Sequence, residues 1–181
     1  FGAFVRAVAT RYSGRYRLAA GDAPLPRVNF WAIWNEPNFG PMIAPQTVEH
    51  SKIEVSPAIY RRMADAAWSG LVSSGHRNDT ILIGETAAYG DGHKGYGSNM
   101  DPLVFIRALY CLGVGYSPLQ GAAATRIGCP ARASRQAFAS AHPELFAEAG
   151  WAHHPYDFTH APSYRRPDPD SASLSGISRL E

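Results

Sequence analysis

Phe30-Trp31-Ala32-Ile33-Trp34-Asn35-Glu36-Pro37-Asn38 is the stretch on which the reading of this chain turns. Val28 to Trp34 is apolar on both faces, the pattern of a parallel strand covered on each side. Alternation along such a strand sets Phe30, Ala32, Trp34 and Glu36 on one face. The strand stops at Asn35-Glu36-Pro37, because the proline disfavours helical geometry in the residue before it and so fixes where Glu36 points. A carboxylate at the end of a hydrophobic strand is costly unless it is paired or protonated, and burial raises its pKa. Folds keep such a group where it does proton chemistry. The competing structural reading is a carboxylate that caps a following helix.

Outward from this stretch the chain alternates. Phe4, Val5, Val8 and Tyr12 recur at helical spacing, with Gly14 where a helix would end. After the strand, residues 37–55 form a long loop, and loops of that length are uncommon unless functional. Ser56-Pro57 reads as a helix start with Ser56 as cap. Ile59, Tyr60, Met63, Ala67, Trp68 and Leu71 carry that helix to Ser74-Gly75. Ile81 to Glu85 is a second strand that ends on an acid, followed by a glycine-rich loop from Tyr89 to Asn99. Pro102 opens a further helix, Ser134–Ala141 and Pro143–Ala149 give shorter helical pieces, and Gly150 to His154 is a third strand broken by Pro155. Pro162 to Ser175 reads as a loop, and Ile177 to Glu181 as the opening of a helix. Helices alternating with strands predict an α/β fold with parallel strands near 28–34, 80–84 and 150–154, adjacent in that order. Each strand brings polar groups to its C-terminal end: Asn35 and Glu36, then Glu85, then His154 and Tyr156.

Trp34-Asn35-Glu36-Pro37 at the end of an apolar strand resembles the fourth strand of clan A glycoside hydrolases. These are (β/α)8-barrel enzymes that cleave O-glycosidic bonds by a retaining double displacement. His154-Pro155-Tyr156 is similar to the sixth-strand His-x-Tyr of some families in that clan. The resemblance covers residues 1–160 and implies a partial barrel, about strands 4 to 6 with their helices, with 1–181 a fragment of one catalytic barrel. It implies Glu36 as general acid/base and Asn35 as the partner of the sugar 2-hydroxyl. His154 would line the sugar site, and Tyr156 would hydrogen-bond the nucleophile. The nucleophile itself is a Glu expected beyond residue 181, since a complete barrel runs to about 250 residues. Glu85 is the internal rival as second carboxylate, because adjacent strands lie about 4.8 Å apart. The family pattern argues against that role, which leaves Glu85 as a substrate contact, a charge partner or a structural residue.

Trp34, Trp151, Tyr89 and Tyr156 fall at or near rim positions where sugar rings stack, while Trp31 and Trp68 belong between helices and sheet. The partner implied is an oligosaccharide, polysaccharide or glycoside, with no cofactor and no metal. The alternative from another class is a carbohydrate-binding pseudoenzyme on a barrel scaffold that lacks the nucleophile.

Composition narrows the field. A net charge of +2 with scattered arginines gives no nucleic-acid stripe. No run of 18 apolar residues exists to span a membrane. His142, His153, His154 and His160 lack the spacing of a zinc helix, and phosphate-loop and nucleophile-elbow motifs are absent. Cys111 and Cys129 bracket an irregular Gly-rich loop that a disulfide would staple, which points to a secreted protein; two separate buried thiols are the alternative.

Overall fold

The structure is a computed structural model that describes residues 1–48, 53–92, 95–130, 134–147 and 149–181. Parts of the expected 37–55 and 89–99 loops, and Glu148 in the expected 143–149 helical piece, lie outside the described residues.

Three strands form one parallel sheet in the order β1-β2-β3: Phe30–Ala32, Thr80–Ala87 and Gly150–His154. Phe30 lies opposite Thr80, and Leu82 opposite Gly150. Order and direction agree with the expected alternation. Helix α1 (Gly2–Arg11) precedes β1, α2 (Ser56–Ser73) joins β1 to β2, and α3 (Pro102–Leu109) follows β2. The short helices α4 (Gly121–Arg126), α5 (Arg135–Ala141) and α6 (Glu144–Ala147) then lead to β3.

Tyr60, Ala64, Ala67 and Leu71 recur every three or four residues along α2 and are all buried. They meet Val5 and Ala9 of α1, Phe105 and Leu109 of α3, and Ile33, Ile81 and Ile83 of the sheet in one core. Each fully buried side chain of Leu or Phe size contributes about 1.5–3 kcal/mol. Small residues let α1 lie close on α2: a Cβ at Gly70 would stand 3.0 Å from the Gly2 carbonyl oxygen. Trp31 and Trp68 pack against this core, and Trp31 Nε1 donates to Asp79 Oδ2 at 3.0 Å. Cys111 and Cys129 are joined by a disulfide with Cα atoms 5.5 Å apart. No helix among the described residues is long and apolar enough to cross a membrane.

Several local expectations are corrected. β1 keeps only three residues of the expected seven, although Ile33 N–H still donates to Leu82 O. It ends early because Trp34 turns into the left-handed region at φ 71°. The helices cover one face of β1 only; Phe30 on the other is 75% exposed, and Ala32 and Trp34 beside it are also exposed. β2 does not stop at Glu85 but continues to Ala87 past an irregularity. Ser56 is not the cap of α2: Val55 holds that position, and the Ser56 hydroxyl donates to Gln46 Oε1 at 2.9 Å. The terminal segment is a 3-10 run, Leu174–Leu180, where an α-helix was expected to open at Ile177.

Candidate functional site

The C-terminal ends of the three strands converge on His154. Its Nδ1 lies 2.9 Å from Glu36 Oε1, and its Nε2 lies 2.6 Å from Glu85 Oε2. Glu36, Glu85 and His154 are all half-buried. Two of the three sit on unusual backbone. Glu36 has φ 43° and Glu85 φ 50°, a region that residues with a Cβ enter rarely and at a cost of order 1–3 kcal/mol. Glu85 is the extra residue where the β2–β3 register slips between Gly84 and Thr86. A bulge of this kind re-aims a side chain, and here it brings Glu85 to the imidazole that Glu36 also reaches.

Two hydrogen bonds between three groups need two protons. These are satisfied by an imidazolium between two carboxylates, or by a neutral imidazole that accepts from one protonated carboxyl and donates to the other. Both arrangements carry the same net charge, so moving a proton from one carboxyl to the imidazole would leave the charge of the set unchanged. Burial lowers the pKa of His154, but the hydrogen bonds to Glu36 and Glu85 and their charges more than reverse this, so it lies above its ordinary value. The neighbouring His153 goes the other way. Burial lowers it more than its bond to the Ala172 carbonyl raises it.

Three buried polar side chains beneath these ends hold Glu36 in place. Asn38 Nδ2 donates to Ala87 O at 3.1 Å and Met100 O at 2.7 Å, while its Oδ1 accepts from Ala87 N–H at 2.8 Å. Gln46 Nε2 donates to Pro37 O at 2.9 Å, and Glu36 N–H donates to Glu85 O at 2.9 Å. Tyr60 Oη donates to Ile33 O at 2.9 Å and accepts from Gly84 N–H at 2.7 Å, which ties β1 to β2 just below the site. Burial raises the Tyr60 pKa far beyond reach, so the phenol stays neutral and keeps its donor. Sequence reasoning missed all three. Asn38 stood in the quoted stretch, and an amide directly after Asn-Glu-Pro was a usable signal. Gln46, in mid-loop, offered none.

The other expected site residues divide. Tyr156 is exposed and its ring lies 5.4 Å from that of His154. Trp34 is exposed, donates to Met42 O at 3.3 Å and meets Phe1 edge-on. Asn35 is exposed on the turn between Trp34 and Glu36. Two aromatics have their surfaces occupied. Trp151 donates to Thr86 Oγ1 at 3.2 Å and covers Gly84, where a Cβ would come within 2.3 Å of its ring. Tyr89 is stacked by the Arg166 guanidinium, 3.4 Å from the ring centre. Trp151 and Tyr89, both half-buried, each have one ring face covered in this way.

Elsewhere, Asp65, His142 and Glu144 bring ligand atoms within 4.8 Å of one another. The buried Arg61 guanidinium interacts with both acids, so positive charge is already supplied there. A cavity of about 680 Å³ beside the disulfide is lined by Tyr110, Leu119, Phe138 and Phe146, with none of the triad among its walls. Among the known proteins, no family model, curated protein or solved structure matches this chain.

Proposed function

We propose that the chain carries the acid/base half of a retaining glycosidase site, on three strands that correspond to strands 4 to 6 of a (β/α)8 barrel. The observation that carries this reading is Glu36, held at a strand end by Gln46 and Asn38, with its Oε1 2.9 Å from His154 Nδ1. In this mechanism Glu36 first acts as an acid and protonates the departing glycosidic oxygen. It then acts as a base on the water that releases the sugar. His154 stores the exchanged proton, and Glu85 orients the imidazole through its other nitrogen. Because Glu85 is bound through His154, the reading makes it a charge partner. The nucleophile is a second carboxylate outside these 181 residues, about 5–5.5 Å from Glu36 as retention requires. The Cys111–Cys129 disulfide supports an extracellular setting.

The test is Glu36→Ala in the full-length protein, assayed on glycosides with good and poor leaving groups. A poor leaving group needs protonation and a good one departs without it, so hydrolysis of alkyl or sugar aglycones should fall about 10²–10⁴-fold while activated substrates lose far less in the first step. Azide should restore part of the turnover on activated substrates, since a small anion attacks the glycosyl-enzyme without base assistance. Equal losses on both substrate types with no azide effect would falsify the acid/base assignment.

A further inference from the structure

Immediately beyond His154 the chain builds a second concavity. A cavity of about 250 Å³ is walled by Pro155, Tyr156, Pro162, Tyr164 and Leu174. It adjoins the triad through Tyr156, whose ring lies 5.4 Å from that of His154 and 5.6 Å from that of Phe158. Its size falls just below the roughly 300–1,000 Å³ of drug-sized sites, enough for a single ring or a short chain.

Its wall carries few polar side chains, and the charged one is committed. Asp157 is engaged by Arg166 at 2.8 Å and by Thr159 and His160. These bonds hold its carboxyl well below the ordinary carboxylate range against the opposing effect of burial. Ser173 is 2% exposed, and its hydroxyl is buried without a hydrogen-bond partner among the described residues. The rest of the wall is mostly proline, leucine and tyrosine surface. A pyranose carries more hydroxyls than so few polar groups can pair, whereas an aryl or alkyl group needs no such partners.

The mouth is apolar too. Tyr156, Phe158, Tyr164 and Leu174 are all exposed, with Phe158 at 83%. Scattered exposed apolar side chains are ordinary, but a contiguous group marks a binding surface. The frame behind them is well tied. Leu174 N–H donates to Pro155 O at 2.9 Å, Ser175 Oγ donates to Tyr164 O at 2.6 Å, and Tyr164 stacks on His160 with ring centres 3.9 Å apart. A preformed wall of this kind loses little freedom when a ligand enters.

We propose that this cavity receives the apolar aglycone, an aryl or short alkyl group, of a glycoside whose glycosidic oxygen lies at Glu36. The assignment rests on the glycosidase reading above and narrows its substrate class. Aryl and alkyl glycosides are favoured over substrates whose leaving group is another sugar. Tyr156 forms the shared wall between the reacting bond and the aglycone.

The experiment compares the full-length protein with Leu174→Asp, which sets a charge at the cavity wall without touching the triad. kcat/KM is measured for phenyl, hexyl and disaccharide substrates that share the sugar being cleaved. Binding of free 4-methylphenol is measured separately by ligand-observed NMR, which needs no turnover and also reports on a folded but inactive protein. A folded Leu174→Asp should lose about 10–100-fold in kcat/KM on the phenyl and hexyl glycosides, lose far less on the disaccharide, and no longer bind 4-methylphenol. Equal losses on all three substrates, or no 4-methylphenol binding by the unaltered protein, overturns the aglycone assignment while leaving the glycosidase reading standing. Binding of 4-methylphenol by a protein that hydrolyses no glycoside at all overturns both the glycosidase reading and the aglycone identity, leaving only an apolar cavity. Should Leu174→Asp fail to fold, Leu174→Ala is read against the same substrates for a smaller loss of the same selectivity.

Discussion

Replacing Tyr60 by phenylalanine removes one oxygen from the junction on which the site stands. The ring is fully buried and packs 5.7 Å from that of Phe105, so Tyr60→Phe opens little space and leaves the core contacts in place. What is lost is the hydroxyl that donates to Ile33 O and accepts from Gly84 N–H. The substitution strands one carbonyl and one N–H away from water, each worth about 1–3 kcal/mol, with some relief because the hydroxyl no longer has to be desolvated. The expected loss is about 2–4 kcal/mol. Equilibrium urea unfolding followed by tryptophan fluorescence measures it directly. With a slope of about 2 kcal/mol/M, the midpoint should fall by about 1–2 M at unchanged slope. A loss below about 0.5 kcal/mol would mean that the Tyr60 hydroxyl does not join β1 to β2, and that the site rests on the Asn38 and Gln46 contacts alone.

Reducing the Cys111–Cys129 disulfide, or replacing both residues with serine, reopens a loop spanning 18 positions and should cost about 3 kcal/mol, read as a lower midpoint in the same urea experiment. An unchanged midpoint on reduction would show that the loop is held by its packing. The two adjacent histidines should titrate apart by NMR, His154 above 6.5 and His153 below it; a common midpoint would contradict the triad geometry. By linkage, the raised pKa of His154 gives stability that is fully present below its unfolded value of about 6.5 and is lost as pH rises through its folded value. A His154→Gln variant should therefore fall furthest behind the unaltered protein in mildly acidic solution, with the gap narrowing toward alkaline pH. A gap that widens with pH would reverse the assignment.

The parallel strands and their connecting helices were legible because they follow local periodicity. Ile81 and Ile83 alternate inward, and Tyr60, Ala64, Ala67 and Leu71 recur on one helical face. The disulfide could be anticipated from an irregular loop between two cysteines. Less legible was anything decided by a distant partner. Ser56 has the composition of a cap, but Gln46 takes its hydroxyl, and no local pattern announces that competition. β1 is short because Trp34 turns left-handed, which a run of apolar residues does not reveal. Glu85 was visible as an acid near a strand end, whereas the bulge that turns it toward His154 is a property of the β2–β3 pairing. Asn35 and Glu36 stood out together in sequence, yet it is Glu36 that the neighbouring strands engage, while Asn35 lies exposed.

The site also has a place in time. Glu36 meets His154 across 118 residues, and Asn38 reaches Met100 across 62. Closing loops of that length draws on chain entropy before any contact is gained, so such contacts tend to form late in folding. The turns of α2 close over three or four residues and need no such loop. Glu36, Glu85 and His154 are thus expected to join after the folding barrier has been crossed. A substitution at His154 should then steepen loss of the native state, raising the unfolding arm of a chevron plot and leaving the refolding arm where it was. The lifetime of the assembled carboxylates would be set by how slowly the structure comes apart, independently of how quickly it formed.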